Sequence, residues 1–491
     1  MPQAPTGRRV LGPFNRVEGD LEVQLTLQSG RVARAEVCAP MYRGFENLLQ
    51  GRPPMDALVI VPRICGICSV SQSVAAARAL ADLAGQTPPP NGAHAINLML
   101  ACENLSDHLT HFYLFFMPDF TRPFYAARPW HAQALRRFAA QQGVHARHAL
   151  AARQRWMTML GTLGGKWPHT QSIQPGGSAR AVEAAERLRL LAKAREFRAF
   201  LEEQLFADEL ESVAALASVE QLDAWHAQAP MQGDLRFFLT LADDLDLWRL
   251  GPGPGRYLSY GAYRQSDGSH LLAPGVWSAD EAAARPVAWE RISEDATHAW
   301  LEGDGEDARH PWHGHTRPQA DKAGAYTWNK APRLAGRVVE TGALARQLVQ
   351  GHPLLRELVG QRGSGVAERV LARALELAQV LPEVERWLAA LQPGEPFHTP
   401  QPLPAQGRAF GVTEAARGAL GHWLCVADER IANYQIVSPT SWNFSPRDAD
   451  GVPGALEAAL QDLALEPADE GAVAVQHVVR SFDPCMVCTV H

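Results

Sequence analysis

Arg63-Ile64-Cys65-Gly66-Ile67-Cys68 contains one of two Cys-x-x-Cys pairs in this chain, and the other is Cys485-Met486-Val487-Cys488. A Cys-x-x-Cys turn lets two thiolates bind one atom, and two such pairs complete a shell of four sulfurs. Between the pairs lie 416 residues (69–484), whereas ordinary zinc modules place their pairs ~15–20 residues apart. The sequence therefore predicts one metal site assembled from both ends of the chain, which forms only when the whole chain folds.

The residue chemistry of this site leaves several readings open. Four thiolates suit zinc or an iron–sulfur cluster, and a single pair is also typical of a redox dithiol. The other cysteines, Cys38, Cys102 and Cys425, are too scattered to bind a cluster of their own. An odd total of seven argues against a framework of structural disulfides.

The composition excludes other classes of protein. The 46 basic and 53 acidic residues give a net charge of -7, so no global field attracts nucleic acid or anionic lipid. Hydrophobic residues make up 46% and charged residues 20%, which are ordinary globular values. No apolar run approaches the ~18 residues of a membrane span, and the first residues contain no apolar signal core. We expect a soluble, cytoplasmic protein.

Hydrophobic periodicity predicts a mainly helical α+β fold. Alternating residues at 21–27 and 32–37 indicate a hairpin, and residues 422–437 indicate another. Helical patterns cover 92–116 after Asn91 as N-cap, 130–163, a broken stretch from Ser178 as cap to about 228, 341–361 and 367–391. Residues 251–255 and 278–324 are predicted loops with short elements.

These elements predict one domain over residues 1–491. Its parts are an N-terminal β region (1–60), the first cysteine motif (63–72), a helical core (91–400), and a C-terminal β region with the second motif (408–491). Small peripheral sheets from both termini are expected to flank the long helices.

With their neighbours, the two cysteine pairs resemble the signature motifs of the large subunit of nickel–iron hydrogenases. The resemblance covers nearly the whole chain and adds six motifs in the family's order: Arg16-Val17-Glu18-Gly19, Tyr42-Arg43-Gly44-Phe45-Glu46, His111-Phe112-Tyr113, Gly164-Gly165-Lys166-Trp167-Pro168-His169, Glu414-Ala415-Ala416-Arg417-Gly418-Ala419-Leu420 and Pro439-Thr440-Ser441-Trp442-Asn443. It implies that family's large-subunit fold.

The resemblance also implies the metal centre and its reaction. Cys65 and Cys485 would be terminal ligands of nickel, and Cys68 and Cys488 would bridge nickel to an iron that has cyanide and carbon monoxide ligands. Dihydrogen would be cleaved heterolytically, and Cys485 would receive the proton.

Two further residues have implied roles close to this centre. Glu18 would pass the proton onward, and Arg417 would place a permanent cation over the open metal position. Without the resemblance, Glu18 is predicted to be a strand-edge carboxylate that pairs with Arg16. Arg417 is then predicted to lie at the start of a helix in a solvated ion pair.

Three residues have implied supporting roles. Asp107 and Asp483 would hold the guanidinium in place, and Thr440 would hydrogen-bond a cyanide. Taken alone, Asp107 is a polar position on the 92–116 helix, Asp483 is a turn residue before a proline, and Thr440 is a hydroxyl in a turn.

The resemblance implies a second metal position near the end of the chain. Its ligands would be Glu46, the carbonyl of Ile436 and the imidazole of His491. Hard oxygen donors suit magnesium, while the imidazole is also compatible with iron.

Three single positions and one short stretch depart from the family's usual pattern. Gln72 replaces a common His, Leu114-Phe115-Phe116 replaces a stretch with two imidazoles, Asp20 replaces a His, and Ala416 replaces a Pro. Gln72 and the phenylalanines resemble the regulatory, hydrogen-sensing branch, whose genes end at the terminal His, as this sequence does at His491. Bulky side chains on a gas route would restrict oxygen more than hydrogen.

The implied partners follow from the chemistry. Electrons leaving the centre need iron–sulfur clusters, which only a small partner subunit would contain, in an obligate heterodimer or a dimer of heterodimers. A sensor would also bind a histidine kinase, and maturation proteins would assemble the iron ligands. The alternatives are an uptake hydrogenase feeding respiration, a Complex I-like subunit that has lost the metal, and a structural zinc protein.

Overall fold

The structure is a computed structural model that describes residues 7–303, 308–465 and 472–489. Its α-helices are α1 (Phe45–Leu49), α2 (Ala57–Ile60), α3 (Ser69–Leu83), α4 (Pro90–Thr110), α5 (His131–Phe138), α6 (Val144–Gly164), α7 (Ala184–Phe200), α8 (Leu210–Ala214), α9 (Val219–Gln228), α10 (Asp234–Asp244), α11 (Ala343–Gln350), α12 (Pro353–Arg362), α13 (Val366–Ala390), α14 (Pro439–Asn443), α15 (Ala455–Leu460) and α16 (Val473–Ser481). Its strands are β1 (Gly7–Leu11), β2 (Glu22–Gln28), β3 (Arg31–Cys38), β4 (Ile173–Gln174), β5 (Gly177–Ser178), β6 (Arg256–Arg264), β7 (His270–Ser278), β8 (Ile292–Asp295), β9 (Ala331–Leu334), β10 (Gly407–Ala415), β11 (Gly418–Ala427) and β12 (Arg430–Val437).

Long helices form the centre of the fold, as the periodicity predicts. α4 is buried along almost its whole length and packs against α6 and α13. A helix that is buried on every side is typical of the middle of a large core. α13 begins at Val366 and ends at Ala390, which confirms the helix predicted over residues 367–391.

Two three-stranded antiparallel sheets come from the two ends of the chain. Their strand orders are β1-β2-β3 and β10-β11-β12, so both predicted hairpins are confirmed. β11 is buried along most of its length and is therefore more interior than the expected peripheral position. The middle of the chain adds the two-stranded pairs β4-β5, β6-β7 and β8-β9.

The predicted start and end of the first long helix differ from the structure. Asn91 lies inside α4 rather than at its N-cap, and its side-chain amide donates to the carbonyl oxygen of Gln392. A π-helical turn, His111–Phe116, continues from the end of α4. A tertiary hydrogen bond to the segment that follows α13 thus replaces the local cap that the sequence suggested.

Three other helix predictions fail at breaks in the chain. The 130–163 pattern divides into α5 and α6 at a tight connection, where a side chain at Gly143 would lie 2.4 Å from the carbonyl oxygen of Arg137. The 341–361 pattern divides before Pro353, after a left-handed Gly351. Ser178 lies in β5 rather than at a cap, and α7 begins only after Glu183.

The fold brings the two ends of the chain together. Cys65 and Cys68 lie immediately before α3, and Cys485 and Cys488 follow α16. Glu18 pairs in parallel with Cys485, and the Met486 amide donates to the Glu18 carbonyl oxygen over 2.7 Å. In residues 7–303, 308–465 and 472–489, no helix has the length and apolar character needed to cross a bilayer.

Candidate metal centre

The four cysteines of the two pairs converge on one buried point. Their sulfurs all lie within 4.8 Å of one another, at 3.4 Å for Cys65–Cys485, 3.3 Å for Cys68–Cys488 and 3.0 Å for Cys485–Cys488. None of these residues is more than 5% exposed. This is the arrangement that the spacing of the pairs predicts, and it is the one such group of potential ligands in the described part of the chain.

The four thiols do not ionise independently. Hydrogen bonds from Cys485, Cys488 and Cys68 to the Cys65 sulfur lower the pKa of Cys65, whereas hydrogen bonding and burial raise the pKa of Cys68. Burial also raises the pKa of the isolated Cys102, to a value above that of an ordinary thiol. Four sulfurs this close together therefore suit a soft cation. Its positive charge would stabilise the thiolate form of the remaining cysteines.

Glu18 lies beside the sulfurs. Burial and the charge of Cys65 raise the pKa of its carboxyl, against the opposing charge of Arg417. A side chain at Gly19 would lie 2.9 Å from the backbone nitrogen of Val487. Glycine at this position therefore allows the loop that carries Glu18 to approach the second cysteine pair closely.

Arg16 does not pair with Glu18, and that prediction is wrong. Its guanidinium forms an ion pair with Asp119, which is fully buried. Asp119 also accepts from Arg480 over 2.7 Å, and Arg480 donates to the backbone carbonyl of Asn15 over 3.0 Å. One carboxylate therefore ties the loop that carries Glu18 to the helix that precedes Cys485.

Arg417 lies in the tight turn between β10 and β11, not at the start of a helix. It is 4% exposed, so the prediction of a solvated ion pair is wrong. The turn is short because Ala415 pairs directly with Gly418. This geometry presents the guanidinium to the metal centre from a rigid hairpin.

Two carboxylates hold this guanidinium. Arg417 Nη1 donates to Asp107 over 2.7 Å, and Nη2 lies 3.2 Å from Asp483. Burial raises the pKa of Asp107 to about 7 despite the neighbouring cation. Burial also acts to raise the pKa of Asp483, but Arg417, His111 and Arg373 overcome it and lower that pKa.

Two nitrogens of Arg417, Nε and Nη2, are buried without a hydrogen-bond acceptor among the described residues. Of the two, Nη2 has the ion-pair contact with Asp483. A buried, unsatisfied donor beside four sulfurs fits a site whose remaining partner is a bound group. A structural zinc site needs only the thiolate shell, so the adjacent cation favours a reactive centre over a structural one.

Thr440 lies on α14, not in an irregular turn. Its hydroxyl oxygen accepts from the backbone nitrogen of Cys485 over 3.2 Å. Ser438 caps this short helix by accepting from the Ser441 amide. Thr440 thus contacts the backbone of the second cysteine pair directly.

Two of the residues predicted to bind a second metal, Glu46 and Ile436, lie in contact. Glu46 is fully buried, its Oε1 accepts from the Ile436 amide over 2.8 Å, and Thr316 donates to its other oxygen. Lys330 Nζ lies 3.6 Å from the same carboxylate. Thr489 lines the same small cavity, so the end of the chain approaches Glu46, while His491 itself lies outside the described residues.

The positions that depart from the family pattern have different surroundings. Gln72 accepts from His422 Nε2 over 2.8 Å, and His422 Nδ1 lies 2.8 Å from the Tyr434 hydroxyl. Phe116 is fully buried against Phe120, in a plain aromatic core. Asp20 is exposed, and the Ala416 carbonyl accepts a hydrogen bond from Arg346.

Sequence reasoning missed Glu103, which lies one helical turn before Asp107 on α4. It accepts from the backbone nitrogens of Val70 (2.8 Å) and Ser71 (2.9 Å), so it holds the start of α3 directly behind Cys68. Burial raises the pKa of Glu103 to about 8. The available signal was the i, i+4 spacing of two carboxylates within an apolar helix, which places both on one face.

Comparison with known proteins connects this geometry to a family. The family described as nickel-dependent hydrogenase matches residues 43–141 and 120–491. The periplasmic [NiFeSe] hydrogenase large subunit of Desulfomicrobium baculatum is 30% identical over 98% of this chain and 94% of its own length. The uptake hydrogenase large subunit of Afipia carboxidovorans is 28% identical over 99% of this chain and 95% of its own.

Solved structures agree with the sequence comparison. The H2-activated [NiFeSe]-hydrogenase of Dm. baculatum superposes with a TM-score of 0.83 at 29% identity, covering 99% of both chains. The reduced Ni-Fe-Se hydrogenase of D. vulgaris Hildenborough gives 0.82 at 29% identity, again over 99% of both chains. These matches confirm the expected fold. The chain belongs to the nickel-dependent hydrogenases and is a hydrogenase large subunit.

Proposed function

We propose that the four cysteines bind a nickel–iron centre at which the protein cleaves dihydrogen heterolytically, and that this reaction serves as a hydrogen signal. Cys65 and Cys485 would be terminal ligands of nickel, and Cys68 and Cys488 would bridge it to iron. The supporting observation is the convergence of four buried sulfurs beside an arginine that two carboxylates hold. When bound, the centre would supply the Lewis-acidic position for dihydrogen and the route for its electrons.

The residues of this chain have distinct tasks in the proposal. Arg417 holds a fixed positive charge beside Cys65 and Cys485, and Asp107 and Asp483 fix its orientation. Cys485 accepts the proton, and the Glu18 carboxyl passes it on. The backbone bond between Glu18 and Met486 places this residue beside the second cysteine pair, and its carboxyl lies near enough to feel the charge of Cys65. Water is excluded because every sulfur is buried.

Replacing Glu18 with Gln is expected to slow hydrogen oxidation by about 10²–10⁴-fold, because an amide has no acid–base function at this position. Nickel and iron contents should not change, since Glu18 is not among the ligands. The measurement is hydrogen-dependent dye reduction together with metal analysis. Glu36→Gln is the matched control, because Glu36 lies on β3, where its carboxylate pairs with Arg34. A Glu18→Gln enzyme with full activity would remove the carboxyl from the proposed proton route.

We propose a second metal close to the same centre. Its ligands would be Glu46, the Ile436 carbonyl and His491, and either magnesium or iron would fit oxygen donors with one imidazole. Such an ion would attach the C-terminus beneath the sulfurs. Anomalous diffraction at the iron edge would distinguish the two metals, and an absence of any ion beside Glu46 would remove this site.

The electrons require a partner, and we propose a small iron–sulfur subunit in an obligate heterodimer. The cysteines outside the centre are isolated in the described part of the chain, so they form no cluster site. The segment before Cys65 exposes Leu48 (50%), Met55 (43%) and Val59 (44%). We propose this apolar segment as part of the subunit interface, since it brings a partner's cluster near the sulfurs.

Val59→Glu is expected to weaken binding of the small subunit by roughly 30-fold in Kd, which corresponds to about 2 kcal/mol for a charge introduced into an apolar interface. Co-purification and gel filtration measure the effect. Val452→Glu is the control, because Val452 is equally exposed (45%) but lies on a distant loop. Equal co-purification of both variants would place the interface elsewhere.

The sensor role is the finer part of the proposal. Gln72 accepts a hydrogen bond from His422, so an amide takes the place of the usual imidazole one turn after Cys68. This altered environment supports slow, signalling turnover. The sensor would act in the cytoplasm with a histidine kinase, and maturation proteins would install the cyanide and carbon monoxide ligands.

The test uses the purified heterodimer. Three results would support the proposal: about one nickel and one iron per large subunit at the centre, infrared bands of cyanide and carbon monoxide, and hydrogen oxidation. Zinc as the only metal would overturn it. Slow turnover, hydrogen-dependent kinase signalling and recovery in the cytoplasmic fraction would support the sensor. Fast turnover coupled to respiration would instead favour an uptake hydrogenase, as the Afipia relative is named.

A further inference from the structure

We propose that Arg346 is a positioning residue that fixes Arg417 over the metal centre through the β10–β11 turn. The inference rests on the proposed function for its consequence in catalysis, but its structural part concerns only residues of this chain. Arg346 touches none of the four cysteines, and no family motif of the sequence includes it.

Every guanidinium nitrogen of Arg346 has a hydrogen-bond acceptor. It is fully buried on α11 and makes five hydrogen bonds. Nε and Nη2 donate to the two oxygens of Glu376, each over 2.9 Å. Nη1 donates to Glu414 over 2.8 Å and to the Ala415 carbonyl over 2.9 Å, and Nη2 donates to the Ala416 carbonyl over 3.1 Å.

These contacts hold the turn at the residues directly before Arg417. Two consecutive backbone carbonyls, those of Ala415 and Ala416, are bonded to one planar guanidinium, so the peptide plane that leads into Arg417 cannot rotate freely. Glu414 adds a further restraint, since its Oε1 accepts from the Tyr260 amide over 2.6 Å. β10 is therefore attached to both α11 and β6 at this point.

The same network reaches the other partner of the ion pair. His108 lies next to Asp107 on α4, and its Nε2 lies 3.2 Å from Glu376. Burial lowers the pKa of His108, while the contact with Glu376 opposes this shift. Ala416, which precedes Arg417, is bonded to Arg346, and His108, which follows Asp107, contacts Glu376. Both members of the Arg417–Asp107 ion pair therefore have a sequence neighbour in contact with the Arg346–Glu376 pair.

The turn also packs closely against the residues before α11. A side chain at Gly418 would lie 2.5 Å from Thr341 Oγ1 and 2.6 Å from the backbone nitrogen of Gly342. These two residues immediately precede α11, which contains Arg346. The start of α11 therefore holds the turn by van der Waals contact, and Arg346 holds it by hydrogen bonds.

The test is Arg346→Lys in the heterodimer. A lysine keeps the charge but has three donors on one atom, so it cannot bind both carboxylates and both carbonyls. We expect normal metal content, shifted infrared bands of the iron ligands, an Arg417–Asp107 distance longer than 2.7 Å in a crystal structure, and about 100-fold slower hydrogen oxidation.

Arg236→Lys is the matched control. Arg236 is also buried and donates to carbonyl oxygens of Trp225, Phe206 and Ala207 and to Asp208, but it lies on α10 and contacts no part of the turn. Its variant should keep the wild-type infrared bands, hydrogen oxidation rate and Arg417–Asp107 distance.

Unchanged bands, rate and Arg417 position in Arg346→Lys would overturn the proposal. If that variant does not fold, Glu414→Gln decides in its place, because it keeps the bond to Tyr260 and weakens only the contact with Arg346. If the wild-type heterodimer lacks cyanide and carbon monoxide bands, the proposed function fails, and the crystallographic position of Arg417 still decides whether Arg346 positions it.

Discussion

A Cys485→Ser variant is expected to lose nickel and all measurable hydrogen oxidation. Cys485 has the closest sulfur contact of the cluster, 3.0 Å to Cys488, and its sulfur is completely buried. A serine hydroxyl is a hard donor that stays protonated, so it replaces a thiolate poorly for nickel. Structural zinc sites release ~10–16 kcal/mol on binding, so one of four thiolates contributes about 3 kcal/mol, or roughly 100-fold in affinity.

The loss of activity should exceed the loss of affinity, because Cys485 is also the proposed proton acceptor. Metal analysis of the purified heterodimer and dye reduction under hydrogen measure the two effects separately. Cys102→Ser is the control. Cys102 is equally buried, but its thiol donates to the Trp156 carbonyl and is not part of the four-cysteine group. A Cys485→Ser protein with one nickel per chain and normal turnover would contradict the proposed ligand set.

Arg417→Lys is expected to keep both metals and to slow hydrogen cleavage by about 10²–10³-fold, the usual effect of removing one fixed electrostatic donor. A lysine ammonium cannot bridge Asp107 and Asp483 in one plane, so the positive charge would move away from the sulfurs. The arginine is not a metal ligand, so this variant should change the rate of hydrogen cleavage without changing metal binding.

Infrared spectra confirm that the centre is assembled, and the hydrogen oxidation rate and its KM for hydrogen then report the reaction alone. Arg333→Lys is the matched control, since Arg333 is also buried and paired with a carboxylate, Asp448, outside the centre. If Arg417→Lys retained the wild-type rate with intact bands, the guanidinium would have no part in cleavage.

The fold class and the cysteine shell were accessible from sequence because their signals are local and strong. Alternation of residues defines β2, β3, β11 and β12, and helical periodicity defines α4 and α13. Helix ends were less predictable. Asn91 and Ser178 have good capping side chains, but the first bonds Gln392 and the second lies in a strand, because tertiary partners outweigh a cap of about 1 kcal/mol.

The sequence by itself determined which residues are able to bind a soft metal and that both ends of the chain must meet to do so. Only the tertiary structure decided which charges surround that metal. Arg16 pairs with Asp119 rather than Glu18, Arg417 is buried in a hairpin turn, and Arg346 joins three elements behind it. Ligand type and spacing are properties of short segments, whereas the partner of a buried charge depends on which distant segments pack against it.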